Sequence, residues 1–151
     1  MKNSIEEIDK ILIESNNSIK EEINGISYLE TLKFNIIDKA KDLDENYLKN
    51  LKLFFETDRK FNKEIILNEK KIIYNIEYYE KTITNIKHKI TDNSLFIVLE
   101  GLKSIEIQDI TDQKKSIYSN LSKNMGVVIT ENTTVTTKIA ANSLILSILN
   151  K

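Results

Sequence analysis

The apolar residues of this 151-residue chain change their spacing near residue 57, and that change constrains the fold more than any other feature. Before it, apolar residues recur every three to four positions, as on one face of a helix. After it, apolar and polar residues alternate and β-branched residues predominate, as in strands. The sequence therefore predicts two units, a helical arm over residues 1–56 and a β-domain over residues 57–151.

The helical arm contains two or three candidate helices. Capping boxes that begin at Ser4 and Ser27 predict a helix from residue 4 to about 24 and a second helix of about sixteen residues. Asn24-Gly25 is expected to end the first helix, because glycine readily takes the left-handed conformation found there. From Glu45 the helical spacing resumes, either as a third helix or as an extension of the second.

Nine short strands are predicted in the β-domain, separated by short polar segments. Many short strands without intervening helices favour an antiparallel sandwich or barrel over a parallel sheet. The predicted strands cover residues 64–67, 71–79, 82–89, 95–100, 104–108, 116–121, 126–130, 133–139 and 143–149.

Composition argues against several classes of protein. Without cysteine the chain has no disulfide, thiol nucleophile or zinc–thiolate site, and a net charge of −1 gives no general attraction to nucleic acid. The longest apolar run, Leu95 to Leu99, is five residues, too short to cross a membrane, and no charged-then-apolar leader precedes Ser4. We therefore expect a soluble protein, cytoplasmic or part of a virion if the source is viral, with neither nucleic acid nor membrane as a partner.

The only histidine lies on a predicted strand, and one of the three glycines follows the next strand. Their spacing resembles the first signature of the cupin superfamily, G-x5-H-x-H-x3-E-x6-G. His88 matches the first histidine and Gly101 matches the closing glycine. Thr82 stands at the opening glycine, while Ile90 and Ser94 stand at the second histidine and the glutamate.

The second signature of that superfamily, G-D-x3-I-P-x-G-T-x-H, aligns without gaps with residues Asn124 to Val135. Asn132 takes the place of the turn glycine and Thr133 keeps the threonine. Thr130 replaces the proline, and Val135 replaces the last histidine ligand. The resemblance implies an α+β fold in which N-terminal helices precede an antiparallel cupin-like jelly-roll β-barrel.

The same resemblance implies little of the family's usual chemistry. Of the usual four metal ligands only His88 remains, and isoleucine and valine cannot coordinate a metal, so we predict no metal, no cofactor and no catalytic residue. If the interior of the barrel binds a ligand, the candidate ligand-binding residues are His88, Ser94 and Tyr78. Tyr78 belongs to the tyrosine-rich segment Ile72 to Tyr79, and tyrosine offers a pocket both an apolar face and a hydroxyl.

Three functions remain open. The first, favoured by the lost ligands, is a non-catalytic structural or assembly component of a virus particle or another multi-chain complex. The second is a module that binds a small molecule such as a sugar. The third is a metal-independent enzyme, similar to cupin isomerases and epimerases of nucleotide sugars, with His88 as the base and a tyrosine between Tyr74 and Tyr79 as the acid.

A surplus of large apolar side chains in the helical arm predicts self-association. One small sandwich cannot easily cover them all, so we predict a homo-oligomer, most simply a dimer, with the helices in or beside the interface and other proteins of an assembly as further partners. The alternative is a monomer whose helices all pack on one outer face of the barrel. The side chains are Ile5, Ile8, Leu12, Ile19, Ile23, Leu29, Leu32, Ile36, Ile37, Leu48, Leu51, Phe54 and Phe55.

Overall fold

A computed structural model describes residues 2–19, 23, 25–55, 60–67, 70–108 and 116–150, in which three helices precede nine strands. This order confirms the α+β prediction made from the change in apolar spacing. The helices are α1 (Lys2–Asn17), α2 (Gly25–Ala40) and α3 (Glu45–Phe54). The strands are β1 (Lys60–Leu67), β2 (Lys70–Tyr79), β3 (Ile83–Ile90), β4 (Ser94–Glu100), β5 (Lys103–Gln108), β6 (Ser116–Leu121), β7 (Met125–Ile129), β8 (Thr133–Ile139) and β9 (Ser143–Asn150).

The ends of the first two helices differ from the prediction. The backbone N–H of Ile19 donates to the carbonyl of Asn16, three residues earlier, so the chain tightens and α1 ends at Asn17. Gly25, predicted to end that helix, has a φ of 63° and is instead the first residue of α2. The rest of the predicted first helix, residues 20–22 and 24, lies outside the described residues.

A separate third helix forms because Asp44 caps it. The Asp44 carboxylate accepts a hydrogen bond of 2.7 Å from the backbone N–H of Tyr47, which satisfies a donor that the helix itself leaves unpaired. Of the two interpretations that the sequence left open, the structure therefore has a third helix and not an extension of α2.

The strands form two antiparallel sheets with the orders β1-β2-β9-β4-β7 and β3-β8-β5-β6. From β2 onward, the first four strands pair with the last four in reverse order: β2 with β9, β3 with β8, β4 with β7 and β5 with β6. Such a long hairpin folded over on itself is a jelly roll, to which β1 adds an edge strand. No ladder joins the two sheets among the described strands, so the predicted barrel is an open two-sheet structure.

The five-stranded sheet carries a hydrophobic core on each of its faces. Its central strands β4 and β9 are therefore apolar at nearly every position, whereas sheets with one wet face alternate. The interior core, between the two sheets, consists of Ile90, Phe96, Val98, Ile105, Leu121, Ile129, Val135, Ile139 and Ile145. The outer core, between this sheet and the three helices, includes Ile72, Tyr74, Ile76, Leu95, Ile97, Leu99, Leu144, Leu146 and Ile148 from the strands.

The helices contribute most of their large apolar side chains to that outer core. Ile8, Leu12, Leu29, Leu32, Ile36, Leu48, Leu51 and Phe55 are buried there, and Ile19, Ile23, Ile37 and Phe54 pack against it. This is the intramolecular packing that we considered as the alternative to self-association. Apart from Ile5, whose side chain lies outside the described part of the chain, the predicted surplus is thus covered within one chain, and the oligomeric state stays a prediction that needs another motive.

The division into a helical arm and a β-domain also stays a prediction, because residues 56–59 lie outside the described residues. What the structure does establish is that the helices and the five-stranded sheet share one core. None of the described helices is long and apolar enough to cross a membrane.

Candidate functional site

In the two cupin signatures, four positions hold metal ligands. Three of these positions come together in the jelly roll, and the fourth lies across its interior. His88 on β3 is the direct cross-strand partner of Val135 on β8, so both side chains lie on the same face of their sheet. Ile90, two residues after His88, and Val135 are buried in the interior core. Ser94 lies across the interior on β4, on the same face as Phe96.

The glycine positions of the signatures are explained by left-handed backbone conformations. Gly101 has a φ of 96°, and a Cβ there would lie 2.1 Å from the Ser143 Oγ, so only glycine fits. Asn124 and Asn132, which replace signature glycines, have φ of 64° and 66°. Asparagine tolerates this region better than most residues, which accounts for the substitutions.

His88 is an exposed side chain on the interior face of β3. Partial burial and the positive charge of Lys103 lower its pKa, and a hydrogen bond with the backbone of Ile86 partly offsets this. The lowered pKa favours the neutral imidazole, in which one ring nitrogen donates and the other accepts, and the bond with the Ile86 backbone occupies one of them.

The other two candidate ligand residues are not placed beside His88. The Ser94 hydroxyl is buried and donates to the backbone carbonyl of Asp92 at 2.7 Å, which is a contact that shapes the turn before β4. Tyr78 packs against the outer core, on the helix side of the sheet, and its hydroxyl donates to Asn142 at 3.1 Å. Their predicted roles in ligand binding stay predictions.

Of the tyrosines on β2, Tyr79 faces the interior. Tyr74 and Tyr78 lie on the helix side, where the Tyr74 hydroxyl donates to Asp9 of α1. Tyr79 packs against the interior core and donates to the Glu77 carboxylate. If His88 works with a tyrosine, as the enzymatic alternative requires, Tyr79 is the one that the alternation of β2 places on its side.

A polar group that the sequence did not single out lies between the two sheets. Asn75, Glu77 and Tyr79 are alternate residues of β2, and the cross-strand partners of the first two, Ser147 and Ile145, lie on the interior face of β9. Lys103 enters the interior from β5 of the opposite sheet. We call Asn75, Glu77, Tyr79 and Lys103 the interior polar cluster.

Lys103 reaches across the interior of the jelly roll. Its side chain is only 6% exposed, and its Nζ lies 4.0 Å from the centre of the Phe96 ring on the facing sheet, a cation–π contact. Burial lowers the pKa of the Lys103 ammonium to about 8, against the attraction of Glu77, which raises it. A lysine in this setting is partly unprotonated at neutral pH, unlike a surface lysine.

The β2 side of the cluster offers hydrogen-bond acceptors. The Asn75 Oδ1 is buried and has no hydrogen-bond partner among the described residues, a condition that usually costs about 1–3 kcal/mol. Burial, followed by the hydrogen bond to Glu77, raises the pKa of the Tyr79 hydroxyl, so it stays protonated and donates. The cluster thus combines acceptors on β2 with the Lys103 ammonium, which interacts with the charge of Glu77.

The sequence held a signal for this cluster in its strand alternation. Lys103 lies on the same face of β5 as Ile105 and Ile107, so a lysine stands where the alternation of the strand predicts an apolar residue. Asn75, Glu77 and Tyr79 alternate with apolar residues, a pattern that normally indicates a solvated face. Here the alternation separates two cores, because helices cover the other side of the sheet.

Within the described part of the chain, no three His, Cys, Asp or Glu side chains come close enough to hold a metal ion. The absence of a metal from the protein stays a prediction that rests on the residue types at the signature positions.

No protein-family profile and no curated protein sequence matches the chain. Solved structures of similar fold include a cupin-2 domain protein from Shewanella frigidimarina, with 18% identity over 75% of this chain and 98% of that one, at a TM-score of 0.47. The cupin domain of CENP-C from Drosophila melanogaster has 10% identity over 72% of this chain and all of that one, at 0.48. A cupin superfamily protein from Desulfitobacterium hafniense has 10% identity over 62% of this chain and 78% of that one, at a TM-score of 0.45.

The assignment of the fold rests on the molecule's own strand order, on the register that pairs His88 with Val135, and on the left-handed residues at the signature glycines. Together these observations identify a cupin-like jelly roll in which apolar or hydroxyl side chains replace most of the metal ligands.

Proposed function

We propose that the protein binds a small neutral polyhydroxylated molecule, such as a sugar, between the two sheets. The observation that carries the proposal is the interior polar cluster, in which Asn75, Glu77 and Tyr79 face Lys103 across an otherwise apolar core. Buried polar groups are normally satisfied, and the Asn75 Oδ1 is not satisfied by the described residues. A ligand hydroxyl supplies the missing partner.

The charges of the cluster favour a neutral ligand over an anion. Lys103 contributes a positive charge and Glu77 a negative one, so the site has little net charge to attract a phosphate or carboxylate. Sugar hydroxyls each donate and accept a hydrogen bond, which suits a site that presents both kinds of group.

Thermal unfolding in the presence of single monosaccharides tests this proposal, because a ligand that binds the folded state raises Tm. Glucose, galactose, mannose and xylose at millimolar concentration are suitable probes. We expect at least one to raise Tm for the wild type, and Asn75→Leu to abolish that rise by replacing the amide with an apolar group of similar shape. Thr136→Val, on the outer face of β8, is the matched control and keeps the rise. An equal rise in N75L, or no rise with any of the four sugars, contradicts the proposal.

Assembly with other chains is a second candidate function, supported by the surface around β7. This strand is the last in the order of its sheet, and α2 packs beside it. From α2 the Phe34 side chain extends into solvent with 64% of its surface exposed. An exposed aromatic beside an edge strand suits a contact with a second copy of this chain.

Light scattering on the wild type and on Phe34→Ser tests the assembly function. We expect the wild type to be larger than one chain at micromolar concentration and F34S to shift toward the monomer. Leu53→Ser, a substitution of a 43% exposed residue on α3, is the control and should leave the molar mass unchanged. If the wild type is a monomer, assembly by self-association is ruled out.

A further inference from the structure

We propose that the side-chain amine of Lys103 forms an imine with the carbonyl carbon of a small hydroxyaldehyde, that is, of a sugar in its open-chain form. The inference rests on the proposed function, because it assigns a reactive end of the ligand to the same interior space. It adds a covalent step that the hydrogen-bonding groups alone do not imply.

The placement of Lys103 favours a reactive amine over a structural ion pair. Its register neighbours on the adjacent strands are Ile139 and Leu121, both apolar and buried. Across the interior its Nζ lies 4.0 Å from the centre of the Phe96 ring, and its side chain is only 6% exposed. Lysines that attack carbonyl groups in proteins are activated by this kind of apolar surrounding, because it disfavours the ammonium form.

Burial also determines what fraction of the Lys103 side chains carries an unprotonated amine. With its pKa lowered to about 8, roughly a tenth of Lys103 is unprotonated at neutral pH, against less than about one part in a thousand for a surface lysine. The unprotonated amine carries the lone pair that attacks a carbonyl carbon. The unprotonated, reactive fraction of Lys103 is therefore about two orders of magnitude larger than that of an exposed lysine.

The proton transfers of the reaction can be carried by groups around Lys103. The nitrogen adds to the carbonyl carbon, the π electrons move to oxygen, and a proton passes from nitrogen to that oxygen to give a carbinolamine. Protonation of the hydroxyl then breaks the C–O bond, and water leaves as the C=N bond forms. Both protons of the nitrogen end on the water that leaves: the first forms the carbinolamine hydroxyl, and the second is transferred to that hydroxyl before the C–O bond breaks. The Glu77 carboxylate, to which the Tyr79 hydroxyl donates, can carry each proton from nitrogen to oxygen.

His88 also interacts electrostatically with Lys103, and burial and the charge of Lys103 lower its pKa, which favours the neutral imidazole. It therefore adds no positive charge that would oppose a protonated imine. The products are one imine and one water, and hydrolysis reverses the step. Neither an oxidant nor a reductant is consumed.

Reductive trapping tests the inference. The wild type is incubated with glycolaldehyde or glyceraldehyde and sodium cyanoborohydride near pH 7, and the modified lysines are identified by peptide mass mapping. We expect one reduced adduct per chain at Lys103, formed at least about tenfold faster than adducts at exposed lysines such as Lys138. Lys138→Arg should leave the fast adduct in place, and Lys103→Arg should remove it.

Peptide mapping of the wild type decides the matter even if K103R fails to fold. An unmodified Lys103 peptide in a sample where Lys138 has reacted overturns the inference, and so does a folded K103R variant that is trapped at the wild-type rate. Binding of 1,5-anhydroglucitol, a sugar without a carbonyl, separates the two proposals. If it raises Tm while no adduct forms, the imine is wrong and the binding function stands; if no adduct forms and neither it nor any of the four monosaccharides raises Tm, both are wrong.

Discussion

At the scale of single residues, Lys103 has the most consequential surroundings in the interior. Folding moves its ammonium from water to the face of Phe96, and the charge of Glu77 only partly compensates. The protonated form is therefore less favourable in the folded chain than in the unfolded one, which makes stability depend on pH.

Raising the pH from about 7 to about 9 should increase the contribution of Lys103 to the free energy of unfolding by about 1 kcal/mol. The sign follows because the folded pKa of about 8 is below the ordinary 10.5, so between these values the unfolded chain binds more protons. Denaturant unfolding at several pH values measures the slope. Lys103→Met, which keeps the length without the charge, should have a smaller slope, and parallel profiles for the two proteins would contradict the assignment.

Gly101 should be the glycine that tolerates alanine least. A methyl group there meets the Ser143 hydroxyl and backbone, and φ is 96°, so Gly101→Ala should lower the free energy of unfolding by about 3 kcal/mol. Gly25→Ala is the matched control, because Gly25 has a φ of 63° but nothing within 4 Å of the added group; about 1 kcal/mol is expected. Equal losses by denaturant unfolding would show that the contact with Ser143 relaxes.

At the scale of elements, α1 contacts the rest of the fold through one of its faces. Ile8, Ile11 and Leu12 point into the outer core, and the hydroxyl of Tyr74 on β2 donates to Asp9 of the same helix. Ile13, the next residue, points to solvent. The two sides of this helix should therefore respond differently to the same substitution.

Leu12→Ala should reduce the free energy of unfolding by about 2–4 kcal/mol, since it removes a side chain that is 2% exposed and leaves a cavity. Ile13→Ala removes a side chain of the same size that is 42% exposed, and less than about 1 kcal/mol is expected. Alanine raises helix propensity at both positions, so the difference reports burial. Similar values for both variants would mean that α1 does not pack on the sheet as described.

The elements could be predicted from sequence because their signals are local. Apolar spacing predicted nine strands and two or three helices, and the two degenerate signatures placed His88 and Val135 on paired strands and Gly101 in the turn after β4. The end of α1 could not be predicted, because a hydrogen bond between Ile19 and Asn16 decides it. The interior cluster was missed for a different reason: alternation separates two faces of β2 but does not say which face meets helices and which meets the second sheet.

At the scale of the whole molecule, the five-stranded sheet is the middle layer of three. The helices cover one of its faces and the second sheet covers the other, so neither face can be left open without exposing apolar residues to water. This arrangement bears on self-association, because the helices are committed to their own chain. Any subunit contact uses surfaces that remain, such as the one around Phe34.

Deleting residues 1–25 should therefore unfold or aggregate the protein, not release a folded monomer. The deletion removes Ile8, Ile11 and Leu12 from the outer core, and at about 1.5–3 kcal/mol for each buried side chain it forfeits about 5–9 kcal/mol, which is comparable to the net stability of a domain. A circular dichroism melt should lose its cooperative transition, and a synthetic peptide of residues 1–25 added in excess should restore part of it. A truncated chain that melts at the wild-type Tm and scatters light as a monomer, while the full-length protein is a dimer, would instead place α1 in the interface between subunits.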